Sequence, residues 1–353
     1  MENNENTIGI IPDSSGNSGY SAKLLRKSSN GNSLILIIFT AFMFLGSIIS
    51  ANIANAVVGE DSEYFKGIVL ILSMIIQHFI GIPLALFIFR KTKIGQGTDT
   101  IRSVFRKPQQ SFWWVVRWIL IAVFFSYAAS LATNMFFMFL EKITGVSLVQ
   151  TDFSAENNTF SQIVNIISIT FMAPLFEEIL IRGGMLNNIK RFGSWSAIIS
   201  TGIFFGLLHM NYPQVPFAAV LGIVTAFIAL KTKSIIPTII THFIVNSIGG
   251  VMSLITGGLD IKAIQNGDIS SLLENPVVFV IYMGLTFLVI GLMAVGLVLF
   301  ILECILHRDS FRFEKINPEV SEGKKLCHYF TAPLTILLTL FYIGMTILNA
   351  IPQ

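Results

Sequence analysis

Three short polar patterns interrupt otherwise apolar stretches of this sequence: Glu177-Glu178 with Arg182, Phe205 with His209, and His242 with Asn246. Carboxylates and imidazoles take up and release protons, and an amide donates hydrogen bonds. The same groups can also hold an ion. Spacing fixes part of their geometry. Glu178 and Arg182 are i,i+4, so on a helix they share a face and can pair. Glu177 is turned about 100° away, which leaves its carboxylate outside that pair. Phe205 and His209 are also i,i+4, as are His242 and Asn246. Glu177, His209 and His242 make a plausible zinc set, although no HExxH pattern is present.

The elements that carry these residues are membrane helices. The chain has 353 residues, of which 53% are hydrophobic and 12% charged, with a mean hydropathy of +0.73. Soluble domains carry about 25% charged residues. A net charge of +3 gives no reason to expect a nucleic-acid partner. Nine apolar stretches read as spans: 34–58, 67–89, 112–140, 162–189, 195–210, 215–230, 235–256, 277–303 and 331–350. A helix needs about 20 such residues to cross. The fifth and sixth are short, are joined by Asn211-Tyr212-Pro213, and could instead form a re-entrant pair. The expected fold is therefore all-α, a polytopic membrane helix bundle of about nine transmembrane helices.

Basic residues orient the map. With the N-terminus inside, 18 of the 23 Lys and Arg fall in inner segments, including Arg90, Lys91, Lys190, Arg191, Lys231 and Lys233. Only Lys66, Lys142 and Lys262 fall outside, where Asp152, Glu156, Asp260, Asp268 and Glu274 gather. The bias puts the N-terminus inside and, with an odd number of spans, the C-terminus outside.

Depth brings the three patterns together. Glu177 is about 13 residues before Lys190, hence roughly 20 Å from the inner face. His209 is roughly 21 Å from Trp195, and His242 and Asn246 are roughly 14 and 20 Å from Lys233. The estimate requires the fourth helix to continue through Gly183-Gly184. Each buried charge costs about 2.5–3.5 kcal/mol on the insertion scale. A salt-bridge staple explains Glu178 with Arg182, but leaves Glu177 and two histidines unexplained. An ion or solute transporter is the rival from another class. It calls for repeated discontinuous helices, and the sequence shows no internal repeat.

The motifs EExxxR, FxxxH and HxxxN, in that order on successive apolar helices, resemble those of the CAAX prenyl endopeptidases and their bacterial relatives, the CPBP (Abi) intramembrane proteases. The resemblance covers about 160–250. It implies an intramembrane endopeptidase acting on a membrane-bound peptide or protein, with spans four to seven as the catalytic core. By that analogy Glu177 is the general base, His209 orients and helps deprotonate the water, and His242 and Asn246 donate to the oxyanion. Glu178, Arg182 and Phe205 support them. No metal or other cofactor is expected, zinc being the alternative. The domain reading is a disordered cytoplasmic tail at 1–33, accessory helices at 34–140, a catalytic core at 160–256 and accessory helices at 277–353. The partners are the lipid bilayer and a substrate embedded in it, the location a bacterial cytoplasmic membrane, and the site is expected to open toward the cytoplasm. The eukaryotic branch trims prenylated C-terminal tripeptides; processing of a bacterial peptide, or a non-catalytic immunity or scaffold role, is also open.

Other residues read as structural. His78, beside Gln77, is a hydrogen-bonded bundle residue. Arg117, among Trp113, Trp114 and Trp118, snorkels in an interfacial belt. Gly202 and Gly206 mark close helix packing. Glu303, His307 and Arg308 are interfacial, Lys324 and Lys325 lie in a solvated loop, and Cys304 and Cys327 form no metal or disulfide pattern.

Overall fold

The computed structural model describes residues 20–96, 98, 101–145, 158–256 and 276–351. The acidic residues Asp152, Glu156, Asp260, Asp268 and Glu274, with Lys262 and most of the tail, lie outside the described residues. Among the described residues, besides the four-residue helices Lys93–Gln96 and Ile101–Val104, ten helices build the bundle: α1 (Ala22–Val58), α2 (Phe65–Lys91), α3 (Phe112–Thr144), α4 (Thr159–Ile189), α5 (Ser194–Leu207), α6 (Gln214–Thr232), α7 (Ile236–Thr256), α8 (Pro276–Leu306), α9 (Glu322–Phe330) and α10 (Pro333–Ala350). Among the described residues no strand occurs. Eight of the ten are long and apolar enough to cross a membrane. The exceptions are α9 and α5, so the fifth of the nine expected spans is a helix of only 14 residues.

The tail reading needs correction where it can be seen. α1 begins at Ala22, with Ser21 accepting from the Leu24 N–H at its start. The stretch 22–33 is therefore helix, although Asn, Ser and Gly are poor helix formers. Their polar groups find partners inside. Asn32 donates to Met185 O and to Tyr329 Oη, and accepts from Asn188 Nδ2 at 2.7 Å. Ser29 Oγ donates to Tyr329 O at 2.7 Å. Burial with satisfied hydrogen bonds overrides propensity here.

Two helices contain wide π-helical turns with an identifiable cause. In α2 the π segment Ile75–Gly81 precedes Pro83, and in α4 the segment Ser168–Met172 precedes Pro174. A proline ring clashes with the carbonyl four residues back and offers no N–H. The widened turn accommodates both defects. A third π segment, Ile179–Leu186, begins directly after Glu178 and carries the chain through Gly183-Gly184 without a break. α4 therefore runs continuously from Thr159 to Ile189.

The buried core centres on α4, α5 and α6, with Leu180, Ile181, Phe204, Phe205, Leu221 and Ile228 all nearly inaccessible. α5 and α6 touch through glycines. A methyl group on Gly222 would stand 2.9 Å from the Gly202 Cα, and one on Gly206 would collide with Val215 O. The close packing expected of Gly202 and Gly206 is what the helices show. α1, α8 and α10 instead present large apolar side chains outward, as Leu45, Val298 and Leu340 do. Those faces suit lipid.

Two polar residues on the basic side are more buried than their sequence suggests. Arg117 does not snorkel freely: its Nη1 lies 2.8 Å from Oε2 of Glu303, which is wholly buried and also accepts from Ser310 Oγ. Lys325 is not solvated. It is 1% exposed, donating to Glu322 Oε1 at 2.7 Å and to Ile316 O at 2.6 Å. Glu322 in turn accepts from the Ser196 N–H at 2.6 Å, which fastens α9 under α5. Burial works against the charge of Glu322, but the hydrogen bonds from Lys325 and Ser196 prevail and hold its carboxyl below the usual value.

Candidate active site

The end of α5 sets one wall of the site. Met210 adopts a left-handed backbone (φ 49°) and turns the chain back toward α6. Such a conformation is uncommon for a residue with a side chain, and Asn349 Nδ2 holds the Met210 carbonyl at 2.9 Å. His209 sits just before this turn. Its Nδ1 is 2.9 Å from Phe205 O. A carbonyl only accepts, so Nδ1 carries the proton and Nε2 keeps a lone pair.

α4 supplies the carboxylates. Glu178 is wholly buried, with Oε1 2.9 Å from Arg182 Nη1 and 3.1 Å from His242 Nδ1. Arg182 Nη2 donates to Gly222 O at 2.9 Å and to Thr225 Oγ1, and the guanidinium lies 4.7 Å over the Phe205 ring. Glu177 points elsewhere. Its side chain is 17% exposed, and its Oε2 stands 3.8 Å from Nε2 of His242. The spacing argument is thus upheld in kind: Glu178 pairs with Arg182, and Glu177 is left facing a space.

α7 completes the group. His242 is the meeting point, with Nδ1 on Glu178 and Nε2 toward Glu177. Phe205 meets both imidazoles edge to face, 5.3 Å from His209 and 5.4 Å from His242. Asn246 Nδ2 donates to Ile169 O at 3.0 Å, inside the first π segment of α4. Glu177, Phe205, His209, His242 and Asn246 all line one cavity of about 620 Å³. Glu178 and Arg182 stand behind its wall.

Sequence reasoning missed the rest of this wall. Tyr127, Ser130 and Asn134 of α3 line the cavity, as do Gln162 and Asn165 of α4, Gln214 of α6 and Ser253 of α7. Their spacing held a signal. Positions 127, 130 and 134 follow i,i+3,i+7, a polar stripe on one helix face. Tyr127 also donates to Val245 O at 3.0 Å, tying α3 to α7. His78 is a bundle residue as expected. Its Nδ1 lies 3.1 Å from Met74 O and its ring packs on Phe176.

The donor set for zinc does not converge. Zinc takes nitrogen and oxygen ligands at about 2.0–2.2 Å. Among the described residues no three His, Cys, Asp or Glu side chains gather at such spacing.

Three motifs on α4, α5 and α7 thus reach one cavity in chain order. Residues 159–248 match the Rce1-like family model, described as type II CAAX prenyl endopeptidase Rce1-like. No curated protein and no solved structure matches the chain. The matched segment starts at the first residue of α4 and ends within α7, so it holds every motif residue. It supports a CAAX-type intramembrane endopeptidase in general terms. α1 to α3 and α8 to α10 lie beyond it, yet α3 contributes Tyr127, Ser130 and Asn134 to the cavity.

Proposed function

We propose that this protein is an intramembrane endopeptidase that hydrolyses peptide bonds of membrane-associated or lipid-modified substrates, with Glu177 as general base. The observation that carries the reading is the 3.8 Å approach of Glu177 Oε2 to His242 Nε2 on the wall of the shared cavity. That gap exceeds a hydrogen bond and suits a water held between the two groups.

Glu177 takes a proton from this water as its oxygen attacks the substrate carbonyl. The lone pair on His209 Nε2 orients the water and shares in the proton transfer. The tetrahedral oxyanion receives hydrogen bonds from the second Nδ2–H of Asn246 and from His242, which donates through Nε2 when protonated. When the C–N bond breaks, the proton on Glu177 passes to the leaving amine. Glu178 and Arg182 are positioning residues: the carboxylate fixes the His242 ring, and the guanidinium fixes that carboxylate against α6. No step calls on a metal. The catalytic core is α4 to α7, and the setting a bacterial cytoplasmic membrane.

The test uses purified protein in lipid, wild type and Glu177→Ala, against a library of membrane peptides with and without a chelator. Loss of cleavage in Glu177→Ala with an unchanged melting temperature is expected. Equal cleavage by both proteins removes Glu177 from the mechanism, and cleavage abolished by chelator makes the centre a metal site.

A further inference from the structure

Pro174 leaves one carbonyl of α4 outside the helix ladder. In an α-helix the carbonyl of Ile169 would accept from the N–H of residue 173, and in a π-helix from that of residue 174. The Ala173 N–H goes to Ser168 O, five residues back. Residue 174 is proline and has no N–H to give. Ile169 O therefore has no ladder donor.

A carbonyl at membrane depth is costly to leave unpaired, and this one is met from another helix. Asn246 Nδ2 of α7 donates to Ile169 O at 3.0 Å. Both residues line the cavity. The bond also decides which way the amide faces. A carbonyl only accepts, so the nitrogen of Asn246, and not its Oδ1, is turned to α4. One N–H is held there and the second is left for the cavity. An amide free to turn over would present Oδ1 part of the time, and an oxygen beside a developing oxyanion repels it.

His242, one turn back on α7, is held by the same helix on the other side of the proline, through Glu178 Oε1 at 3.1 Å. The two side chains are thus braced at two points of α4, one before Pro174 and one after it. A proline with a π turn does not create this arrangement by itself. In α2 the π segment Ile75–Gly81 precedes Pro83, and the Ile82 N–H goes to Gln77 O, again five residues back. No described residue of α2 lines the cavity.

We propose that Pro174 is a positioning residue for the oxyanion: by withholding an N–H from α4 it frees Ile169 O to hold Asn246, with the second N–H of that amide left for the cavity. The part concerning the oxyanion rests on the peptidase reading; the hold on the amide does not.

The test compares Pro174→Ala, Pro83→Ala, Asn246→Ala and the double variant Pro174→Ala/Asn246→Ala, each as the full chain in lipid. Alanine supplies the missing N–H, so the ladder reclaims Ile169 O and draws it along the α4 axis, away from α7. Asn246→Ala lowers kcat by about 10²–10³, the worth of one oxyanion donor. Pro174→Ala lowers kcat by about tenfold or more and leaves KM within about twofold, because the interaction is made only in the transition state. The double variant is no slower than Asn246→Ala alone, since the proline acts through the amide. Additive losses would show that Pro174 acts on Glu177 or on packing, and would overturn the proposal. Pro83→Ala cleaves as wild type does; a loss there equal to that of Pro174→Ala would overturn it too. A second readout needs no cleavage. The ¹⁵N-labelled side-chain amide resonance of Asn246, identified by its absence in Asn246→Ala, shifts in Pro174→Ala and stays in place in Pro83→Ala. A resonance unmoved by Pro174→Ala overturns the hold on the amide. A shifted resonance with full cleavage by Asn246→Ala overturns the oxyanion role alone, which tells failure of the peptidase reading from failure of the hold. Pro174→Gly, which also carries an N–H, replaces Pro174→Ala if that variant does not fold.

Discussion

His242 Nδ1 lies 3.1 Å from Oε1 of Glu178, a wholly buried carboxylate that also holds Arg182. One oxygen thus serves a guanidinium and an imidazole, while the neighbouring Glu177 faces the cavity. Adjacent residues of the same type are given different tasks by the helix phase between them. Glu178→Gln leaves Arg182 charged without its counter-ion, and such a loss costs about 3–5 kcal/mol. Glu177→Gln, at a half-open position, leaves stability within about 0.5 kcal/mol and lowers cleavage by about 10²–10⁴. Thermal unfolding in detergent beside a peptide-cleavage assay separates the two; equal destabilisation by both would contradict the division of labour.

Arg182 is held by shape as well as charge. Nη1 meets Glu178, Nη2 meets Gly222 O and Thr225, and the flat face covers Phe205. A lysine has neither the fork nor the plane. Arg182→Lys is expected to lose about 1.5–3 kcal/mol, the worth of hydrogen bonds made by a charged group. A melting curve matching wild type would show that charge alone suffices.

Close helix contact gives a contrasting pair of glycine substitutions. Gly222→Ala places a methyl 2.9 Å from the Gly202 backbone, and overpacking of this kind costs about 1–3 kcal/mol. Gly249→Ala meets only ordinary contact, so it keeps or gains stability, by up to about 1 kcal/mol from helix propensity. Denaturation of the two variants in parallel checks the ordering.

The α9 anchor should be sensitive to acid. The Glu322 carboxyl is held below its ordinary value of 4.5 despite the opposing effect of burial, because Lys325 and Ser196 donate to its charged form. A depressed folded-state value contributes stability that is present above the unfolded value and disappears as pH falls through the folded one. The melting temperature of wild type therefore declines below about pH 4.5, whereas Glu322→Gln starts lower at neutral pH and declines less over the same acid range. Parallel declines in the two proteins would place the acid response elsewhere.

Much of the site was legible in the sequence because i,i+4 spacing survives inside a helix whatever surrounds it. Glu178 with Arg182 and His209 with Phe205 followed from that rule alone. The continuity of α4 that the depth count required is also met, since the glycine pair opens into a π turn and not a break. The partner of Arg117 was not legible: Glu303 lies 186 residues away, and an ion pair across a fold leaves no local pattern. Glu322 is i,i+3 from Lys325, a local pairing pattern; what the sequence hid is the burial of that lysine under α5. Helix α1 was read as starting too late because Ser28, Ser29 and Asn32 look like linker residues until Tyr329 and Asn188 are seen beside them. The stripe at 127, 130 and 134 was visible in principle, but a tyrosine and two small polar residues in a long apolar helix are common enough to pass unnoticed.

Trp118, Phe227, Phe311, Phe313 and Trp195 pack ring on ring at the basic end of α6, away from the stretch of that helix that lines the cavity. A packed apolar layer carries no chain of hydrogen bonds along which a proton could hop. Protons that reach or leave Glu177 therefore travel by way of the cavity and not through this layer.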